Sequence, residues 1–233
     1  MLKDTIMKQR FFITATGTDI GKSFITAGLI QQAKSRHVSI AAYKPLISGF
    51  DEKNPAISDT GLLLQSLGEP LNETTLNRLS PWRFRAPLAP SMAARSEGTT
   101  IDIEALLTHS RKALSGPEDI ILIEGVGGVM VPISANKTVL DWIEALGIPT
   151  ILVTGSYLGC LSHTLTALRV LQQRQIPIHT LIINESTGSS VALDAVASEL
   201  KPWVTSNLIT VKRRLCCSHE LLEELAVFFD SGI

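Results

Sequence analysis

The sequence has few cysteines, no excess of charge of either sign and no long apolar run. Among its 233 residues, 21 Lys and Arg stand against 22 Asp and Glu, which gives a net charge of −1. This balance argues against a general nucleic-acid binder, which normally carries a basic excess. The three cysteines, Cys160, Cys216 and Cys217, have no metal-ligand spacing. Their odd number favours a reducing compartment over a disulfide framework.

The apolar segments are also too short for a membrane protein. None approaches the roughly 18–20 residues that a membrane-spanning helix needs. Residues 1–10 mix Lys, Asp and Gln and lack the apolar region of a signal peptide. We therefore expect a cytoplasmic protein with neither a membrane nor a nucleic acid as its partner. A composition of 45% hydrophobic and 18% charged residues excludes a disordered chain. The length suits a single domain, 1–233.

Short apolar runs alternate with amphipathic segments along the chain. The runs are predicted to be strands, at 11–13, 39–43, 120–123, 150–153 and 181–183. The amphipathic segments are predicted to be helices, at 22–36, 101–114, 162–175, 189–200 and 219–229. The proline-containing stretches 45–58 and 81–90 are expected to be loops. This alternation predicts an α/β fold whose mostly parallel central sheet has helices on both faces and binds its ligand at the carboxyl ends of the strands.

The most specific local signal follows the first predicted strand. Gly21, Lys22 and Ser23 end a loop of small residues and begin a helix, which is the context of a phosphate-binding P-loop. Backbone N–H groups would face the anion, Lys22 would supply charge, and the Ser23 hydroxyl suits Mg²⁺. The usual spacing would place a further glycine at position 16, which is Thr16. The alternative is a Gly-Lys-Ser helix start that binds no nucleotide.

Two strand ends and one helix start carry further candidates. Lys44 ends the second predicted strand, where it either points to the phosphate site or lies on the surface. Asp59 precedes an apolar helical stretch and is either a helix cap or a magnesium ligand. Glu124 follows four apolar residues, a placement that is unfavourable unless the carboxylate has a partner. The glycines after it, such as Gly125 and Gly127, allow close approach of a ligand or simply form a turn.

Four segments, taken together, resemble the dethiobiotin synthetase family. They are Thr-Gly-Thr-Asp-Ile-Gly-Lys-Ser, Tyr-Lys-Pro-Leu-Ile-Ser-Gly, Glu-Gly-Val-Gly-Gly and Leu-Gly-Cys-Leu-Ser-His, within residues 11–184. The resemblance implies a P-loop NTPase fold and an ATP- and Mg²⁺-dependent ligase. Its expected reaction joins 7,8-diaminopelargonate and CO₂ into a carbamate, which ATP converts to a carbamic–phosphoric anhydride. Ring closure then gives dethiobiotin, ADP and phosphate.

The resemblance also implies roles for individual residues. Ser23, Asp59 and Glu124 would hold Mg²⁺, while Lys22, Lys44 and Thr18 would be catalytic. Ser48 and Thr18 would contact the substrate, together with Gly159 and Cys160. The remaining nucleotide contacts are expected from Asp19, Ile20, Gly21, Phe24, Gly125, Val126, Gly127 and Asn184.

Residues 155–163 resemble the segment that receives the substrate's carboxylate from a partner subunit, which implies a homodimer with shared active sites. Several positions depart from the family pattern, among them Ala15, Asp19, Ser91 and Tyr157. The match is poor after Asn184, so the nucleobase preference stays open. A partitioning-type ATPase is the first alternative, although its Lys-Gly-Gly has no equivalent at 15–17. A non-catalytic nucleotide-binding homologue is the second.

Overall fold

Six parallel strands form the central sheet of the protein, for which a computed structural model describes residues 8–214 and 219–230. The strand order is β2-β5-β1-β6-β7-β8. The strands are β1 (Gln9–Ala15), β2 (Ile40–Tyr43), β5 (Ile120–Glu124), β6 (Thr150–Gly155), β7 (Ile178–Asn184) and β8 (Asn207–Val211). A second, small sheet pairs β3 (Leu46–Ser48) with β4 (Trp82–Phe84).

Helices cover both faces of the central sheet. Side chains alternate along β1, so that Phe11 and Ile13 pack against one helical layer and Phe12 against the other. The layer facing Phe11 includes α1 (Lys22–Ser35), α2 (Asp59–Leu67), α3 (Glu73–Leu79) and α9 (His219–Asp230). The opposite layer includes α4 (Pro90–Ser96), α5 (Ile103–Leu114), α6 (Val139–Leu146), α7 (Cys160–Gln173) and α8 (Leu193–Leu200). The predicted α/β fold with a doubly covered parallel sheet is confirmed.

The sheet register brings the predicted functional segments to one edge. β1 lies between β5 and β6, with Ile13 opposite Glu124 and Ala15 opposite Val153. Tyr43, at the end of β2, lies opposite Ile123 of β5. Because all of these strands are parallel, their carboxyl ends lie at one edge of the sheet. Four segments lie side by side there: Lys44 after β2, Glu124 at the end of β5, the loop after β1 and the segment after β6.

The structure corrects several predicted boundaries. The expected loops at 45–58 and 81–90 contain β3, β4 and a short 3-10 turn at Pro55–Ile57, and α4 begins at Pro90. Strands of three residues are too short to show a period, which is why they were missed. Helix α7 begins at Cys160 rather than at position 162, and α8 at Leu193 rather than at 189. Helices α3 and α6 were not predicted.

Two predictions lie outside the described residues. They concern Cys216 and Cys217 and the first seven positions of the chain. Within the residues that the structure describes, no helix is both long and apolar enough to cross a membrane.

Candidate active site

The loop between β1 and α1, residues 16–21, leads to an uncapped helix N-terminus at the sheet edge. Gly21 precedes α1 with a left-handed φ of 96° and provides no side-chain cap. The first N–H groups of an α-helix have no partner within the helix, so they are available to an anion. A side chain at position 21 would also collide with Asn184, since a Cβ there would lie 2.3 Å from its Nδ2 atom. The left-handed backbone therefore favours glycine here, and any larger residue would also have to displace the Asn184 amide.

Asn184 holds this loop from the end of β7. Its Nδ2 atom donates a hydrogen bond to the carbonyl oxygen of Ile20 at 2.9 Å. β8 runs alongside, with Val211 opposite Asn184. Glu185 accepts from the backbone N–H of Arg213 at 2.9 Å. The end of β8 therefore lies next to Asn184, one of the expected nucleotide contacts.

Lys22 is a buried cation at the start of α1. Its Nζ donates to the carbonyl oxygen of Gly17 at 3.3 Å, which folds the side chain back over the loop. Burial, with a further contribution from the nearby Lys44 ammonium, lowers the pKa of Lys22 to about 8. A phosphate group bound at this loop would favour the charged form.

Lys44 lies at the centre of the site and is almost completely buried. Its Nζ donates to Glu124 Oε1 at 2.7 Å and to the Gly125 carbonyl oxygen at 3.1 Å, and lies 3.1 Å from Asp59 Oδ2. Burial opposes its charge, but the Glu124 and Asp59 carboxylates outweigh burial and raise the pKa of Lys44. Ser80 fixes the backbone by donating to the Lys44 carbonyl oxygen at 2.6 Å. The surface-lysine alternative is therefore wrong.

Glu124 is fully buried, and both of its oxygens accept hydrogen bonds. Oε1 accepts from Ser23 Oγ at 2.5 Å as well as from Lys44, and Oε2 accepts from Thr26 Oγ1 at 2.7 Å. A carboxylate that follows four apolar residues was expected to need a partner, and Glu124 has three. Thr26 was not predicted. Its signal was its position three residues after Ser23, which puts both hydroxyls on one side of α1.

Asp59 opens α2, but the cap of that helix is Ser58, whose Oγ accepts from the backbone N–H of Gly61 at 3.1 Å. The Asp59 carboxylate turns instead toward Lys44. Burial acts to raise its pKa, but the Lys44 ammonium prevails and holds the pKa of Asp59 below its usual value.

The oxygens of Ser23, Asp59 and Glu124 fit a magnesium ion in their chemistry. The Lys44 ammonium bridges the Glu124 and Asp59 carboxylates, and the Ser23 hydroxyl donates to Glu124 Oε1 beside them. Hard oxygens of this kind suit Mg²⁺, which commonly takes one or two carboxylates and completes its shell with phosphate oxygens and water. No cluster of three or more His, Cys, Asp or Glu side chains that could hold a metal occurs in the described part of the chain.

A cavity of about 370 Å³ opens beside this cluster. Ser48 and Val126 line it together with the phosphate loop and Lys44. An adjoining cavity of about 490 Å³ shares Thr18 and Ser48 and adds the apolar Ile57 and Leu88. The predicted residues that line the first cavity are Thr18, Asp19, Gly21, Lys22, Ser23, Phe24, Lys44, Ser48, Asp59, Val126 and Gly127.

Gly159 and Cys160 lie apart from that cavity, at the start of α7. Gly159 has a φ of 97° and, like Gly21, leaves its helix without a side-chain cap. Cys160 is buried, and burial raises the pKa of its thiol, which disfavours thiolate chemistry. Leu158 beside it is 84% exposed. The two uncapped helix starts, α1 and α7, follow the neighbouring strands β1 and β6.

The chain is similar to known proteins in sequence and in fold. Residues 9–218 match the family described as AAA domain. The chain is 48% identical over 178 residues to the ATP-dependent dethiobiotin synthetase BioD of Phenylobacterium zucineum, covering 76% of this chain and 76% of that protein. It is 46% identical over 176 residues to BioD of Caulobacter vibrioides, covering 75% and 79%. The MinC:MinD cell division complex of Aquifex aeolicus shares the fold at a TM-score of 0.55 and 13% identity, covering 96% of this chain and 86% of that chain.

Proposed function

The chain belongs to the ATP-dependent dethiobiotin synthetases, ligases of biotin biosynthesis within the AAA domain family, and we propose how its residues serve that reaction. The proposed substrates are ATP, CO₂ or bicarbonate, and 7,8-diaminopelargonate. The observation that carries the proposal is the buried cluster of Lys44, Glu124, Asp59 and Ser23 beside the uncapped start of α1. It combines anion binding, a buried cation and hard oxygen ligands at one place.

The proposed sequence has three steps. One amine of the substrate adds to CO₂ and loses a proton, which gives a carbamate. A carbamate oxygen then attacks the γ-phosphorus of ATP, the bond to the bridging oxygen breaks, and ADP leaves. The second amine attacks the carbon of the resulting carbamic–phosphoric anhydride, expels phosphate and loses a proton as the ring closes.

The protein contributes to these steps by positioning the reactants and by stabilising their charge. The loop amides and Lys22 bind the phosphates, and Lys44 offsets the negative charge that grows on the transferred group. Thr18 and Ser48 line both adjoining cavities, a position suited to holding the carbamate end of the substrate. Mg²⁺, held by Ser23, Asp59 and Glu124, would neutralise phosphate charge. Asn184 and Ile20 are proposed to help seat the nucleotide on one side of the phosphate loop, and Gly125 on the other.

A coupled assay of ADP release tests the proposal. We expect turnover only when the diamine and bicarbonate are both present. The matched control replaces the diamine with the analogue that lacks one amine, which can form the carbamate and release ADP but should give no cyclised product. Equal ADP release without the diamine would support a partitioning-type ATPase instead. Nucleotide binding without any turnover would support a non-catalytic homologue.

We propose further that the enzyme is a homodimer with shared active sites. Lys44 follows β2 and α7 follows β6, three strand positions apart in the sheet. At about 4.8 Å per strand this separates the two ends by roughly 14 Å across the phosphate loop. A two-fold partner would bring its own α7 start, at Gly159 and Cys160, to the open end of the cavity, where the helix N-terminus would bind the substrate's carboxylate. The exposed Leu158 supports an interface there.

Mixed dimers test the shared site. Lys44→Ala damages the phosphate end, and Ser162→Glu places a competing carboxylate over the exposed first turn of α7. We expect little activity from either homodimer. A heterodimer purified through two different tags should regain about one intact site of the two, because both lesions then fall in one site. A purified heterodimer without recovered activity would contradict the shared site.

The remaining proposals concern the domain organisation of the chain and its location in the cell. The chain is proposed to form a single domain over 1–233. A cytoplasmic location is proposed because the reaction consumes ATP.

A further inference from the structure

Three threonine hydroxyls form a continuous chain on the side of the phosphate loop away from Lys44. Thr16 Oγ1, in the loop, lies 3.2 Å from Thr154 Oγ1, near the end of β6. Thr154 Oγ1 lies 2.7 Å from Thr164 Oγ1 in α7. Thr164 Oγ1 lies 2.6 Å from the carbonyl oxygen of Cys160, the first residue of α7. Thr154 and Thr164 are fully buried.

The direction of these hydrogen bonds is fixed by their last member. The carbonyl oxygen of Cys160 can only accept, so Thr164 donates its single hydroxyl proton to it. Thr164 must then accept from Thr154, which in turn must accept from Thr16. The Thr16 hydroxyl proton is therefore directed away from the nucleotide side and toward α7.

These hydrogen bonds connect the phosphate loop to the first turn of α7, the two segments proposed to bind anions. Thr16 stands where the usual P-loop spacing has a glycine, and its backbone N–H already bonds the Val153 carbonyl oxygen at 3.0 Å. Its side chain adds a second attachment to β6 and, through Thr154, a link to the first turn of α7. On the other side the loop is confined by Gly128, where a Cβ would lie 3.1 Å from Thr16 backbone atoms.

We propose that Thr154 is a positioning residue, whose hydroxyl sets the placement of the phosphate loop relative to the start of α7. It touches neither site and acts through Thr16 and Thr164. The inference rests on the proposed function, in which α1 binds the phosphates and α7 binds the substrate's carboxylate. Because the proposed dimer assigns these two helices to different active sites, Thr154 connects the nucleotide end of one site to the tail end of the other.

Two substitutions at Thr154 separate hydroxyl positioning from simple packing. Thr154→Val keeps the side-chain volume and removes the hydroxyl, whereas Thr154→Ser keeps the hydroxyl and removes a methyl group. We expect Thr154→Val to raise the KM for the diamine and the Kd for ADP about tenfold, the effect of losing about one buried hydrogen bond, with a smaller change in kcat. Thr154→Ser should stay within about threefold of the wild type, since it keeps the hydrogen bonds. The opposite order, with Ser worse than Val, would mean that only packing matters and would overturn the proposal.

The neighbouring strand offers a matched control. Thr14 of β1 is as buried as Thr154, but its hydroxyl has no hydrogen-bond partner among the described residues. Thr14→Val should leave KM and Kd unchanged. An equal loss in this control would show a general effect of Thr-to-Val changes in the sheet and would also overturn the proposal.

A second variant covers the case in which Thr154→Val does not fold. Thr16→Val removes the first donor at a half-buried loop position, and the same rise in the Kd for ADP is expected. Wild-type affinity in folded Thr16→Val would contradict the proposal. ADP binding is measured without the diamine, so it reports on loop placement even if the wild type shows no diamine-dependent turnover, the result that would instead count against the proposed function.

Discussion

The two sides of the phosphate loop are built from different chemistry. On the α1 side, the Lys44 ammonium lies within hydrogen-bonding distance of two carboxylates, and Lys44, Glu124 and the neighbouring Lys22 are all buried. On the α7 side, the groups that meet are neutral hydroxyls of Thr16, Thr154 and Thr164. Charges on the first side shift one another's pKa values, whereas the hydroxyls do not titrate in the physiological range. The α1 side is suited to stabilising the charge that changes during the reaction. The α7 side is suited to keeping the phosphate loop at a fixed distance from α7.

This contrast predicts different kinds of damage. Removing a charge from the α1 side should reduce kcat, because charge acts on the transition state. Removing a hydroxyl from the α7 side should affect KM and Kd more than kcat, because it moves binding elements without altering the reacting charges. Predictions for the charged side follow, from the largest expected effect to the smallest.

Lys44→Ala should have the largest effect. We expect kcat to fall by roughly 10²–10³, the range for loss of one electrostatic stabiliser, while nucleotide binding changes less. The substitution also leaves Glu124 and Asp59 without their shared cation, and breaking a buried pair in this way costs roughly 3–5 kcal/mol of stability. Steady-state kinetics and thermal unfolding measure the two losses separately.

The exposed Lys53 provides the control for Lys44, since Lys53→Ala removes the same charge at a residue outside the cluster. It should leave both kcat and the unfolding temperature close to those of the wild type. If Lys44→Ala turned over at a near wild-type rate, Lys44 would have no catalytic role, and the contrast between the two sides of the loop would fail.

The carboxylates should show the next largest effect. Glu124→Gln and Asp59→Asn should each raise the Mg²⁺ concentration needed for half-maximal rate, by roughly ten- to a hundredfold. Glu124→Gln should be the more severe, because Glu124 accepts from three donors while the Asp59 side chain is 45% exposed. Titration of the rate with Mg²⁺ at saturating ATP measures this shift. An unchanged Mg²⁺ dependence in either variant would remove that residue from the proposed ligand set.

The same contrast explains what the sequence could predict. Continuous apolar runs such as 120–123 identify buried parallel strands, and a lysine or glutamate directly after such a run is easily recognised. Lys44 and Glu124 were therefore found. The three-residue strands β3 and β4 carry no such period, and α3 and α6 are only seven and eight residues long.

The hydroxyl residues were not predictable for a different reason. Threonine is ordinary in a strand or a helix, so Thr154 gives no signal until the fold brings its partners close. Thr154 and Thr164 are ten positions apart, and Thr16 reaches them across 138 positions of sequence. Asp59 shows an intermediate case: its helix start was recognised, but only the structure assigns the cap to Ser58 and leaves Asp59 free to face Lys44.

The smallest expected effect is a dependence of nucleotide affinity on pH, which titration of Lys22 should cause. Its pKa of about 8 means that the empty site carries the ammonium charge below pH 8 and loses it above. Bound phosphates favour the charged form, so they raise this pKa, and binding then takes up a proton. The affinity for ADP in EDTA should therefore be constant at lower pH and fall above pH 8 by at most about tenfold per pH unit. Calorimetry in two buffers of different ionisation enthalpy measures the proton uptake directly.

Lys22→Arg separates this effect from other titrating groups. Arginine stays charged throughout this pH range, so the variant should bind ADP without proton uptake near pH 8, even if its affinity is lower. Uptake that persists in Lys22→Arg would assign the titration to another group. Absence of uptake in the wild type between about pH 7 and pH 9 would mean that Lys22 keeps its proton despite burial and the neighbouring Lys44. In that case the carboxylates of Asp59 and Glu124, rather than desolvation, would control the charge on this side of the loop.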